Sequence, residues 1–170
     1  SRGCLHTCRH CPITPIYQGR FFVVPQDVVL ADIQAQVEAG AGHITFGDPD
    51  FLNGPRHALA IARALHQEFP HVTFDITTKI EHILQHRSLF HELKALGCAF
   101  VISAVESFSD TVLTHLAKGH TRADIDAALA ILAGAGIPMR PSLLPFTPWT
   151  TLADYLHLLG WIREQGLVAH

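Results

Sequence analysis

Three of the four cysteines, Cys4, Cys8 and Cys11, fall in one run, Cys4-Leu5-His6-Thr7-Cys8-Arg9-His10-Cys11, while Cys98 stands alone in an apolar stretch. Thiolates at CxxxCxxC spacing can wrap a single loop round one face of a metal centre. Three are one short of the four that usually close an iron–sulfur cluster or a structural zinc site. On a [4Fe–4S] cluster the protein would then hold three irons and leave the fourth open to a substrate or cofactor, by the logic that separates catalytic from structural zinc. The alternative is a Cys₃His zinc site completed by His6 or His10, although such sites are normally the core of a very small domain. Crowded thiols of this kind suit a metal site in a reducing compartment, hence a cytoplasmic protein, better than a disulfide framework. Cys98 reads as a small buried hydrophobe.

Four other groups could carry chemistry. Gly47-Asp48-Pro49 closes a strand; taken alone it reads as a turn. Glu106, at another strand end, reads either as a ligand-facing carboxylate or as a cap at the positive end of the following helix. Arg140 is out of place in an apolar strand and either points into an interior to hold a carboxylate or sits at a strand edge. Asp75, Thr77 and Lys79 alternate as residues lining a cavity do, and as a solvent-facing strand end does too. The thirteen histidines are scattered without HExxH or other ligand spacing, so most are expected at the surface.

The elements that must position these residues alternate along the chain. Helical spacing at Val29, Ile33 and Val37 predicts a helix from about Pro25 to Ala39, and the stripe Ala58, Ala62, Leu65, Phe69 a second one ended by Pro70. Further helical segments run from Ile80 to Leu96 and close at Gly97. Ser107-x-x-Asp110 and Thr121-x-x-Asp124 resemble capping boxes opening two more helices, and Thr150 or Thr151 caps a last one that reaches Gly166. Between them lie apolar, partly β-branched runs at 43–46, 72–77, 99–105 and 139–144, which read as strands. Strands separated by whole helices pair in parallel, and the expected class is α/β.

With 170 residues, 48% hydrophobic and 16% charged, the chain can bury one sizeable core. No apolar run approaches the roughly 18 residues of a membrane helix. A formal charge of −3 lacks the basic footprint that phosphate backbones select, so nucleic acid is an unlikely partner. The first residues carry no initiator Met and no apolar leader, so the chain is expected to be an excerpt.

The cysteine spacing resembles the CxxxCxΦC signature of the radical S-adenosylmethionine (radical SAM) superfamily, with His10 at the position Φ that is usually aromatic. The resemblance implies that Cys4, Cys8 and Cys11 bind a [4Fe–4S] cluster whose unique iron chelates S-adenosylmethionine. Gly47-Asp48-Pro49 lies where the superfamily places a GGE-like motif beside the methionine amino group, with Asp in place of Glu. Ala104-Val105-Glu106-Ser107-Phe108-Ser109-Asp110-Thr111-Val112-Leu113 is similar to the superfamily stretch G-x-E-S-x-S-D-x-V-L. That match implies that Glu106, with Ser103, contacts the cofactor's ribose or methionine part. Lys118-Gly119-His120-Thr121 also has the superfamily's look. Within the superfamily the chain looks most like the proteins named for a CUAEP/CCAEP C-terminal tail, which would lie past His170.

The resemblance implies a partial parallel (β/α)₆ TIM-like barrel, of which residues 1–170 would be a single core domain incomplete at both ends, covering strands two to five. It implies an enzyme that cleaves S-adenosylmethionine reductively to a 5′-deoxyadenosyl radical, which abstracts hydrogen from a small-molecule or peptide substrate, with an electron donor such as flavodoxin or ferredoxin. Lys79 and Arg140 would be the inward charges able to hold a substrate carboxylate. The competing reading is a non-catalytic metal-binding interaction domain.

Overall fold

The computed structural model describes residues 1–166. Four strands, β3 (His43–Thr45), β4 (Thr73–Thr77), β5 (Cys98–Glu106) and β6 (Met139–Leu143), form one parallel sheet in the order β3-β4-β5-β6. Each lies within a residue or so of the apolar run that predicts it. Helices fill every crossover: α3 (Pro55–Glu68) between β3 and β4, α4 (Ile80–Gln85) and α5 (Leu89–Ala95) before β5, α6 (Asp110–His115) and α7 (Arg122–Gly134) before β6. Helix α2 (Gln26–Glu38) precedes the sheet and α8 (Leu152–Glu164) follows it.

One face of the sheet is dry. Ile44, Phe74, Ile76 and Val101 pack with Leu65, Leu93, Ile125 and Leu132 of the helices in a single core cluster, each at most 4% exposed. Burial of this kind stabilises by about 1.5–3 kcal/mol per large side chain. The register aligns Thr45, Asp75 and Phe100 across the opposite face, with Thr77, Ile102 and Arg140 in the next row. Apart from Asp75 these residues are exposed or half-buried. A parallel sheet covered on one face and open on the other fits a partial barrel.

Two local features depart from the sequence reading, and a third is one that the structure divides more finely. The helical segments expected over 80–96 are two helices, parted where the Leu89 N–H bonds back to the His86 carbonyl at 2.9 Å and turns the chain. The capping boxes at Thr121/Asp124 and Thr151/Asp154 form, but Ser107 caps nothing. It accepts from the Ser109 N–H at 3.1 Å in a local side-chain turn, and α6 starts later, with Ser109 at its N-cap position. Finally, a small antiparallel pair, β1 (Arg2–Gly3) with β2 (Phe21–Phe22), encloses the cysteine run and the one-turn helix α1 (Ile13–Tyr17). Strands of two residues leave no period to read.

Strand β6 carries Pro141 opposite Ser103. The Val101 N–H bonds to the Pro138 carbonyl and the Leu144 N–H to the Glu106 carbonyl, so even-numbered backbone groups face β5. The ring nitrogen of Pro141 therefore faces away from β5, where its missing N–H costs the ladder nothing.

Candidate functional site

The carboxyl ends of the parallel strands and the cysteine loop meet in a cleft lined by Cys4, Cys8, Cys11, His10, Pro49, Lys79, Ala104, Glu106 and Lys118. The loop is anchored on several sides. The Cys4 N–H donates to the Arg20 carbonyl at 3.1 Å across the β1–β2 hairpin, and the Thr14 hydroxyl to the Cys8 carbonyl at 3.0 Å. The Arg9 N–H donates to the Leu116 carbonyl at 3.0 Å, fixing the loop to the end of α6. Asn53, buried in the turn after β3, accepts from the Leu5 N–H at 3.2 Å and donates to the Gly3 carbonyl at 3.3 Å.

All three loop cysteines are free thiols, Cys8 buried and the other two half-buried, and they share one pocket wall. Burial pushes the Cys4 thiol above its ordinary pKa, which favours the neutral thiol until a cation arrives to hold the thiolate. Cys98 lies elsewhere. Its thiol is pushed up to about 12 by burial and its sulfur approaches the Phe100 carbonyl at 3.5 Å, so it fills core volume. Three soft donors converging on one wall of an open cleft fit a [4Fe–4S] cluster with one iron left for a small ligand.

Glu106 faces the same cleft through a strained backbone. Its φ of 63° is left-handed, a conformation that costs a residue with a side chain on the order of 1–3 kcal/mol, and the β5–β6 register shifts at this point. The carboxylate lies 3.2 Å from the Lys118 ammonium and 3.3 Å from His10 Nε2. Glu106 does not cap α6. Lys118, only 2% exposed, is a buried cation whose place a superfamily-like K-G-H-T run hints at without assigning its partner.

The remaining candidates divide. Pro49 lines the cleft; Gly47 is exposed, and the Asp48 carboxylate accepts from the Ser1 hydroxyl at 2.5 Å. Ser103 does not reach the cleft: fully buried, it donates to the Thr78 carbonyl at 2.8 Å and holds the turn between β4 and α4. Lys79 is paired with Glu81, and the Arg140 guanidinium stacks 3.5 Å above the Phe100 ring. Lys79 thus has an anionic partner, whereas stacking leaves the Arg140 N–H donors free for a carboxylate. Asp75 is buried on the open face, where it accepts from the Thr45 hydroxyl at 2.7 Å and lies 2.8 Å from His43 Nε2.

The histidines also need correction. His82 and His120 are each 6% exposed, and His6 turns away from the cysteine cleft toward His82 and Asp50, so it is not a fourth ligand beside the three thiols. Asp50, Asn53 and Thr78, which hold the site's framework, carry no motif. Their roles come from contacts across 25 residues or more of sequence.

A parallel α/β sheet with a cysteine-lined cleft at its carboxyl ends defines a metal-cofactor protein of the partial-barrel class. The model of the Radical SAM superfamily matches residues 1–159, and the chain belongs to that superfamily. Its members are enzymes that use a [4Fe–4S] cluster and S-adenosylmethionine. No curated protein matches the sequence. Among solved structures, the chain is similar to the cobalamin-dependent S-adenosylmethionine radical enzyme OxsB with aqua-cobalamin and S-adenosylmethionine bound (TM-score 0.79, 20% identity, 95% of this chain and 25% of that one). It is similar to the radical S-adenosylmethionine methyltransferase TsrM from Kitasatospora setae with cobalamin and a [4Fe–4S] cluster bound (0.76, 16%, 96% and 31%). Methylornithine synthase, PylB, also resembles it (0.62, 14%, 83% and 41%). The chain thus spans between a quarter and about two-fifths of these proteins' lengths, and at such identities the likeness shows the fold. No helix among the described residues is long and apolar enough to cross a membrane.

Proposed function

We propose that this domain cleaves S-adenosylmethionine reductively at a [4Fe–4S] cluster held by Cys4, Cys8 and Cys11, and directs the resulting radical at a small-molecule or peptide substrate. The observation that carries this reading is the convergence of the three thiols with a buried, strained Glu106–Lys118 pair in one cleft. When bound, the cluster supplies one electron to S-adenosylmethionine, giving methionine and a 5′-deoxyadenosyl radical able to abstract hydrogen.

The chain's own residues bind and orient. Glu106, paired with Lys118, accepts hydrogen bonds from the cofactor's ribose or amino group, and His10 sets the position of that carboxylate. Gly47, Asp48 and Pro49 offer the end of β3 to the methionine part, with Asp48 supporting the turn rather than binding. Ser103 acts only through the turn that it fixes. With Lys79 paired to Glu81, Arg140 on the open sheet face is the cation left to hold a substrate carboxylate, with Thr45, Thr77 and Phe100 beside it. Flavodoxin or ferredoxin is the class of electron donor such chemistry requires.

The test is anaerobic reconstitution of the full-length protein. About four irons and four sulfides per chain are expected, with 5′-deoxyadenosine released on reduction in the presence of S-adenosylmethionine, and Cys8→Ser should abolish both. Stoichiometric zinc bound through sulfur, with no iron taken up, would establish the non-catalytic metal-binding domain instead.

A further inference from the structure

Behind the cysteine loop lies a second cluster of ligating side chains. His6 Nε2 is 3.6 Å from Asp50 Oδ2 and 3.4 Å from His82 Nε2, while His82 Nδ1 is 2.8 Å from the same Asp50 oxygen. A ligand atom from each of the three residues falls within 4.8 Å of the others. Asp50 is fully buried, His82 nearly so, and His6 half-buried. Tetrahedral bonds of 2.0–2.1 Å place neighbouring ligand atoms about 3.3–3.4 Å apart, close to the two His6 separations when His82 offers Nε2 and not the Nδ1 that lies against Asp50.

The hydrogen bonding marks out the same spot. Asp50 Oδ1 is satisfied, accepting from the Thr78 hydroxyl at 2.8 Å and from the Leu52 N–H at 3.2 Å. Asp50 Oδ2 and His82 Nδ1, although close, meet at an angle that makes no hydrogen bond, and both atoms are buried without a partner. Among the described residues no lysine or arginine pairs with Asp50; Lys79, the nearby cation, is occupied by Glu81. A buried carboxylate facing two imidazoles with no cation of its own lacks compensation that a metal would supply. His6 Nδ1 is turned toward Glu81 Oε2, 3.5 Å away, which leaves Nε2 as the nitrogen facing Asp50 and His82.

We propose that His6, Asp50 and His82 form a binding site for a borderline divalent cation of the zinc class, distinct from the three-cysteine site. His6 belongs to the cysteine loop, Asp50 follows β3 and His82 lies on α4, so the cation clamps the loop to the two elements behind it. Three protein ligands leave a further position for water. The inference stands apart from cofactor cleavage, since iron and zinc are counted separately.

Full-length protein, reconstituted anaerobically with iron and sulfide, is equilibrated with micromolar zinc, desalted and analysed for both metals. One zinc per chain is expected beyond the cluster's iron, with a zinc-edge absorption spectrum fitted by nitrogen and oxygen ligands and no sulfur. His82→Gln and Asp50→Asn should each weaken zinc binding at least about tenfold while iron content holds. If either variant fails to fold, the wild-type zinc-edge spectrum decides. Iron-loaded protein that takes up no zinc, zinc ligated by sulfur, or folded variants that retain zinc would overturn the site and leave the three residues as a metal-free polar cluster.

Discussion

At the scale of single residues, Glu106 concentrates the site's strain and charge. Glu106→Ala should raise the apparent KM for S-adenosylmethionine about tenfold or more, the scale of one lost charge-assisted hydrogen bond, with iron content unchanged. Lys118→Met should instead lower stability by about 3 kcal/mol, since it strands a buried carboxylate, and adding Glu106→Gln should restore most of that loss in urea unfolding. An unaltered KM in the first variant would leave Glu106 a structural partner of Lys118. The cysteine triad and Glu106 were legible in the sequence because their spacing and neighbours are local. Lys118's pairing was not, because it depends on how α6 returns to the strand end. Arg140 was readable as anomalous, yet its partner is an aromatic ring on the adjacent strand, a contact set by register alone.

At the scale of elements, the βα units followed from apolar spacing and the α7 capping box from its Thr-x-x-Asp signature, with the cap of α8 narrowed to Thr150 or Thr151; the β1–β2 hairpin, too short for any periodicity, did not. That hairpin has a measurable job. Gly3 sits at φ 83°, where a Cβ would run into the Arg20 carbonyl and the Tyr17 ring, so Gly3→Ala should spring the hairpin that closes the cysteine loop. The expected result is loss of iron while the melting transition of the βα core persists. Thr121→Ala should do the converse, costing about 1 kcal/mol of stability as α7 loses its cap while iron loading stays intact. Iron retained by the Gly3 variant would detach the hairpin from cofactor binding.

At the scale of the whole molecule, one buried imidazole sets an acid limit. Burial, reinforced by the Lys118 charge, lowers the His120 pKa to about 4. The unfolded chain, with an ordinary histidine pKa near 6.5, then binds the proton more readily than the folded one. Stability from this residue is complete above about pH 6.5, falls as pH drops toward 4, and levels off below that, for a total of about 3 kcal/mol. Urea midpoints at pH 7.5 and 5 should diverge in the wild type and draw together in His120→Gln; equal shifts in both would assign the acid sensitivity to other groups. The outer side of β6 acts on a different property, colloidal behaviour. A strand edge with an unbroken row of donors is a template for stacking copies into fibrils, and the sheet's alignment puts the gap left by Pro141 on that side. Any strand that joins β6 there, the next strand of the expected barrel included, forgoes one bond in mid-ladder, so indiscriminate growth is penalised while a partner shaped to bridge the gap is not.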